Sequence, residues 1–217
     1  MKKLFLLLLS INLGLVAFSQ EKPNEAESLL MQVSEKIENY DNMHIEFSHT
    51  FANKIADIRQ ETRGNVTLQG DKYHLNYMGT EQVFDGEELN MIVHEDEEII
   101  IQKETEEEST LLTPSKMFTF YKKGFIYEMD VADKLKGVSI QYVKLMPKDR
   151  SSEVLSIKIG VDITSKHIYN VIETGKNGTV TELTVVNFKS NQEISSSLFE
   201  LDEEKYQQKN YMITRLD

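Results

Sequence analysis

The pattern of apolar and polar positions changes period along the chain. Ala26, Leu29, Leu30, Val33, Ile37 and Tyr40 fall on one face at a period of 3.6, which predicts a helix over 25–40 with Asn24 as its N-cap. From Ile45 the period becomes two: Ile45, Phe47, His49 and Phe51 alternate with Glu46, Ser48 and Thr50. Further strands are predicted at Arg59 to Leu68, Tyr73 to Tyr77, Gln82 to Phe84, Leu89 to Val93 and Glu98 to Gln102. Gly70-Asp71, Asp85-Gly86 and Asn177-Gly178 supply turn signals, and Asn53 to Ala56 turns the chain after the first strand. Thr113-Pro114 opens a short second helix through Met117, Phe118, Phe120 and Tyr121, which Gly124 ends. Strands resume at Phe125 to Met129, Val138 to Leu145, Val154 to Val161, Ile168 to Ile172, Thr179 to Phe188 and Tyr211 to Thr214. Short strands at this spacing predict one meandering antiparallel sheet with two or three helices, an α+β chain.

The first twenty residues do not fit that scheme. Lys2 and Lys3 precede an apolar run from Leu4, and Ala17-Phe18-Ser19 places small residues at −3 and −1 before Gln20. This reads as a secretory signal peptide over 1–19, cleaved to leave one domain over 20–217. The run is short for a membrane span. The 217 residues carry no Cys, which removes disulfides, thiol chemistry and a lipid-modified N-terminal cysteine. The net charge of −12 removes the basic face that nucleic acid would need. An exported chain without Cys points to the periplasm, as a soluble mature protein expected to be a monomer.

Little in the chain suggests catalysis. The five His (His44, His49, His74, His94 and His167) include no HExxH pair, and His49 and His74 fall in strands as hydrogen-bonded sheet histidines. No G-x-S-x-G elbow, P-loop or G-x-G-x-x-G is present. The acidic runs at 95–98 and 104–108 read as solvated hairpin tips. No enzyme activity, metal or cofactor is expected. What remains is apolar: large side chains line strand faces at Phe47 and Phe51, Tyr73 and Tyr77, Ile99 and Ile101. A sheet this large, covered by two short helices, leaves room for an apolar cavity. Burial there is worth about 0.8 kcal/mol per methylene of an acyl chain.

The residues also resemble a known family, the LolA-type carriers of outer-membrane lipoproteins. The resemblance runs from about residue 25 to 215. It is carried by Leu29-Leu30-x-x-Val33-Ser34 and Tyr40, Ile45 and Phe47, Glu61-x-x-Gly64, Asp71-Lys72-Tyr73, Asp85-Gly86 and Thr113-Pro114. In the second half it is carried by Leu145-x-Pro147, Ile157-x-Ile159-x-Val161-Asp162, Ile168, Gly178, Thr181, Asn187-Phe188-x-x-Asn191 and Leu198-Phe199. The resemblance implies an incomplete β-barrel, a single curved antiparallel sheet of about eleven strands with helices over its concave apolar face. It implies a periplasmic carrier without catalytic residues or cofactor. Such a carrier takes acylated lipoproteins from an inner-membrane release complex and hands them to an outer-membrane acceptor.

On that reading the acyl chains lie against Phe47, Phe51, Val66, Leu68, Tyr73, Leu75, Tyr77, Met91, Val93, Ile99 and Ile101. The lid residues are Leu30, Val33 and Ile37 on the helix at 25–40, with Met117, Phe118 and Phe120 at 114–122. A slip of one residue in register would move any strand's contribution to the other face. Members of the family latch the lid with an Arg before a Pro; here that turn is Gln69-Gly70-Asp71, with Arg63 nearby. Two other readings stay open: a carrier of free lipids, and a non-catalytic envelope module that docks a partner through its acidic surface.

Overall fold

The computed structural model describes residues 24–103, 114 and 116–216. The expected signal peptide, Thr113 and the acidic run at 104–108 lie outside them.

Helix α1 spans Glu25–Glu38. Asn24 caps it, its side-chain oxygen accepting from the Glu27 N–H at 2.8 Å. Glu25 and Glu27 sit in the first turn and Lys36 in the last, each complementing the helix dipole. Twelve strands follow: β1 (Met43–Asn53), β2 (Ile58–Gln69), β3 (Lys72–Tyr77), β4 (Thr80–Phe84), β5 (Glu88–Val93), β6 (Glu98–Lys103), β7 (Phe125–Leu135), β8 (Val138–Pro147), β9 (Val154–Asp162), β10 (Ile168–Gly175), β11 (Thr179–Ser190) and β12 (Met212–Leu216). A five-residue helix α2, Glu203–Gln207, precedes β12.

The strands form one unclosed sheet in the order β12-β6-β5-β4-β3-β2-β1-β11-β10-β9-β8-β7. The architecture is the expected α+β half-barrel, with two differences. The described residues form twelve strands rather than about eleven, and β12 joins β6 in parallel rather than antiparallel. The turns sit where their side chains favour them. Asn53 Oδ1 accepts from the Ile55 and Ala56 N–H groups, and Asp85 Oδ1 from those of Glu87 and Glu88.

Directly paired residues share a face of a sheet, so the register defines two faces. The inner face carries Met43, Ile45 and Phe47 of β1, opposite Leu68, Val66 and Gly64 of β2, which in turn face Tyr73, Leu75 and Tyr77 of β3. Across β1 it continues to Phe188, Val185 and Leu183 of β11, then to Val171 of β10 and Ile159 of β9. A bulge between Glu46 and Phe47 keeps Val185 inside and leaves Val186 61% exposed.

Helix α1 covers only the β7–β10 half of that face. Ala26, Leu29, Leu30, Val33 and Ile37 pack there on Val143, Leu145, Ile157, Ile159, Val161 and Ile168. A second cluster, Ile45, Phe47, Val66, Leu68, Tyr73 and Phe84, fills the β1–β4 half. Met43 and Phe118 pack against both clusters. The expected helix at 114–122 is instead two 3-10 turns, at Lys116–Phe118 and Phe120–Lys122. The aromatic run sets Phe118 between the two clusters and Tyr121 inside the first, so no single helical face serves it.

The third cluster corrects the cavity list. Ile99 and Ile101 pair with Ile92 and Asn90, one residue out of phase with Met91 and Val93. They therefore belong to the outer face, where they are buried with Val83, Ile92 and Tyr206 beneath Leu201, Tyr211 and Ile213. The run from Glu98 to Lys103 holds three consecutive isoleucines, Ile99, Ile100 and Ile101, so alternation alone does not reveal its phase.

Candidate functional site: an uncharged cleft on the inner face

Where the two inner clusters meet, α1 does not reach and a cleft of about 320 Å³ remains. Its floor is Ile45, Phe47 and His49 of β1, Val66 of β2, Leu75 and Tyr77 of β3, and Gln82 of β4. Ile168 and Val171 of β10 and Leu183 and Val185 of β11 form its other wall. Pro114, Met117 and Phe118 roof it. None of these residues carries a fixed charge. His49 is the one titratable imidazole among them, and burial lowers its pKa, which keeps it neutral at neutral pH.

Of the residues expected from sequence, Phe47, Val66, Leu75, Tyr77, Met117 and Phe118 come together in this cleft. Leu68 and Tyr73 share its face but are sealed beside it, at 2% and 3% exposure, with Tyr73 against Phe84. Phe51 lies farther along β1 on the same face, opposite Thr181. Met91 and Val93 pair with Gln82 and Thr80 and so belong to the inner face, beyond the cleft wall. Leu30, Val33 and Ile37 belong to the β7–β10 core. Phe120 packs there too, edge-on to Tyr121 and Phe125. Ile99 and Ile101 lie on the opposite face.

Sequence reading missed Ile45, His49, Gln82, Ile168, Val171, Leu183 and Val185 as cleft residues. The β11 residues enter through the β1–β11 ladder, which joins segments more than a hundred residues apart. Alternation in Thr179 to Phe188 marks a strand but does not say which strand it meets.

The contacts that hold α1 do not involve an Arg latch. Ser34 Oγ donates to the Tyr121 hydroxyl at 3.0 Å, both residues being buried. Lys122 pairs with Glu38 at the surface. The Tyr40 hydroxyl and His167 Nε2 are 2.7 Å apart. Arg63 pairs across to Ser48, in phase with the outer-face residues, and is exposed. It does not stand in for the missing latch. Among the described residues no cluster of His, Asp and Glu could hold a metal ion, and no helix is long and apolar enough to cross a membrane.

No family model matches the chain, and no curated protein matches it. Solved structures do. An uncharacterised conserved protein from Thermus thermophilus is 10% identical, with 88% of this chain and 99% of that one covered and a TM-score of 0.54. LprF from Mycobacterium bovis is 11% identical over 80% of this chain and 97% of its own, with a TM-score of 0.51. A LolA superfamily protein from Nitrosomonas europaea is 12% identical over 82% and 98%, with a TM-score of 0.43. At these identities the likeness is one of fold alone, shared with the Thermus protein and with LprF.

Proposed function

We propose that the chain is a carrier of acylated lipoproteins that shields their acyl chains on the inner face of the sheet. The observation that carries this reading is the uncharged cleft between the two inner clusters. Its walls offer apolar surface with no fixed charge to solvate, so transfer of methylenes from water gains about 0.8 kcal/mol each. The carrier works in the periplasm, exported by its leader, and has no catalytic step. It receives cargo from an inner-membrane release complex and passes it to an outer-membrane acceptor. This placing rests on the resemblance described above.

The packing supports different parts for the two expected lids. Helix α1 is built into the β7–β10 core, whereas Met117 and Phe118 roof the cleft from a short 3-10 turn. Cargo therefore enters past Met117 and Phe118 while α1 stays seated.

The test is titration of the purified protein with a fluorescent acyl probe. Wild type binds it saturably; Leu75→Asp and Val185→Asp, which put a charge on opposite walls, lose the binding while circular dichroism stays unchanged. Unaltered affinity in both variants overturns the cleft as the acyl site.

A further inference from the structure

We infer that the cleft reads the carbonyl group of the acyl chain it holds, with the Nε2–H of His49 as the donor. This rests on the proposed acyl site and adds to it the chemistry of the ligand's head.

One row of polar side chains runs from Thr62 through Tyr77 to His49 of the cleft floor. Thr62 Oγ1 donates to the Tyr77 hydroxyl oxygen at 3.4 Å. The Tyr77 hydroxyl lies 2.6 Å from His49 Nδ1. We assign the phenol as the donor across this short contact, so that His49 Nδ1 accepts and the imidazole carries its hydrogen on Nε2. The two rings meet edge to face, with centroids 5.6 Å apart at 87°, which holds the imidazole plane. His49 lines the cleft, and its Nε2 has no hydrogen-bond partner among the described residues. A fixed, neutral donor is thereby presented to an apolar space. Such a donor is costly to bury unmet and is satisfied by an acceptor on the ligand.

The surroundings select the acceptor. Among the described residues no Lys or Arg lines the cleft, so a carboxylate would enter without a counter-charge, at a high desolvation cost. An ester or amide carbonyl is neutral and accepts one hydrogen bond well. The shared chemistry, a chain ending in a neutral carbonyl, occurs both in acylated proteins and in glycerolipids.

The experiment displaces the fluorescent acyl probe with four competitors of equal chain length. They are an N-palmitoyl peptide, a monoacylglycerol, the matching glycerol ether lacking the carbonyl, and palmitate. Wild type is expected to prefer at least one carbonyl ligand about tenfold over the ether, and over palmitate. The peptide or the monoacylglycerol, whichever binds tighter, names the source. His49→Phe loses the donor and removes the preference, so that carbonyl and ether ligands bind this variant equally. His49→Gln, which retains a donor, restores part of the preference. Tyr77→Phe, which frees the tautomer, weakens it. Equal wild-type affinity for ester and ether, or an unchanged preference in His49→Phe, overturns the carbonyl reading and leaves the acyl site standing. A probe that does not bind at all overturns both.

Discussion

Phe47 occupies the space that a side chain on Gly64 would need. The two residues are directly paired across β1 and β2, and a Cβ at Gly64 would stand 2.5 Å from Phe47 Cζ and 2.8 Å from the Asn76 carbonyl oxygen. The glycine therefore lets an aromatic ring fold down against its own sheet and form part of the cleft floor. Gly64→Ala must displace that ring or part the β2–β3 ladder. The expected outcome is a loss of about 1–3 kcal/mol, as for overpacked cores, together with weaker acyl-probe binding. Urea denaturation and probe titration of the same preparation check both effects.

Ile99 and Ile101 separate stability from binding. Both are buried on the outer face, at 0% and 5% exposure, under the segment that carries Tyr206. Ile99→Ala is expected to cost about 2–5 kcal/mol, the usual range for emptying a buried isoleucine site. Probe affinity of the folded variant stays at the wild-type value, because the cleft lies on the other side of the sheet. A fall in affinity at full folding would place Ile99 in the acyl site after all.

The pair Ile99 and Ile101 also shows where sequence reading stops. Strand alternation in Ile45 to Phe51 and in Tyr73 to Tyr77 declared which positions share a face, and the register keeps those sets together. The capped helix, the hairpin turns and most of the strands were legible for the same local reason. Three successive isoleucines carry no alternation, so their phase depended on β5 and β12, which local pattern does not reveal. Leu183 and Val185 were legible as strand residues but not as cleft residues. Their position depends on a ladder across the whole chain and on the bulge at Glu46 and Phe47. The segment 114–122 reads as a helix in sequence but forms two 3-10 turns, because its aromatic residues serve two cores at once, which composition does not disclose.

Tyr121 tests whether α1 is part of the core. Its ring is 1% exposed, and burial pushes its hydroxyl pKa up to about 12. Removing that hydroxyl leaves buried Ser34 without its partner. Tyr121→Phe is expected to lower stability by about 1–3 kcal/mol, the cost of an unpaired buried polar group. Acyl affinity should stay unchanged, since α1 does not line the cleft. Amide hydrogen exchange resolves the effect: faster exchange across 25–38, with β1–β3 unaltered. Enhanced probe binding in this variant would instead make α1 the lid.

Glu81 fastens the C-terminal segment to the outer face, and its titration should be visible in the acid limb of stability. Its carboxylate meets His74 Nε2 at 2.8 Å and His94 Nε2 at 3.2 Å, and accepts from the Tyr206 hydroxyl at 3.2 Å. The hydrogen bond from His74, opposed in part by burial, lowers the pKa from 4.5 to about 2. A carboxyl whose pKa is depressed by folding binds its proton more readily when unfolded. Its contribution is therefore complete above pH 4.5 and disappears as the pH falls from about 4.5 towards 2. At 1.36 kcal/mol per pKa unit, reduced for partial solvent screening, it amounts to about 1–3 kcal/mol. Glu81→Gln should lose that amount at pH 7 and show a shallower decline below pH 4.5, so that the two proteins converge near pH 2. Urea midpoints of both proteins across that range check it. Curves that run parallel down to pH 2 would mean that the carboxylate gains nothing from His74 and Tyr206 in the folded state.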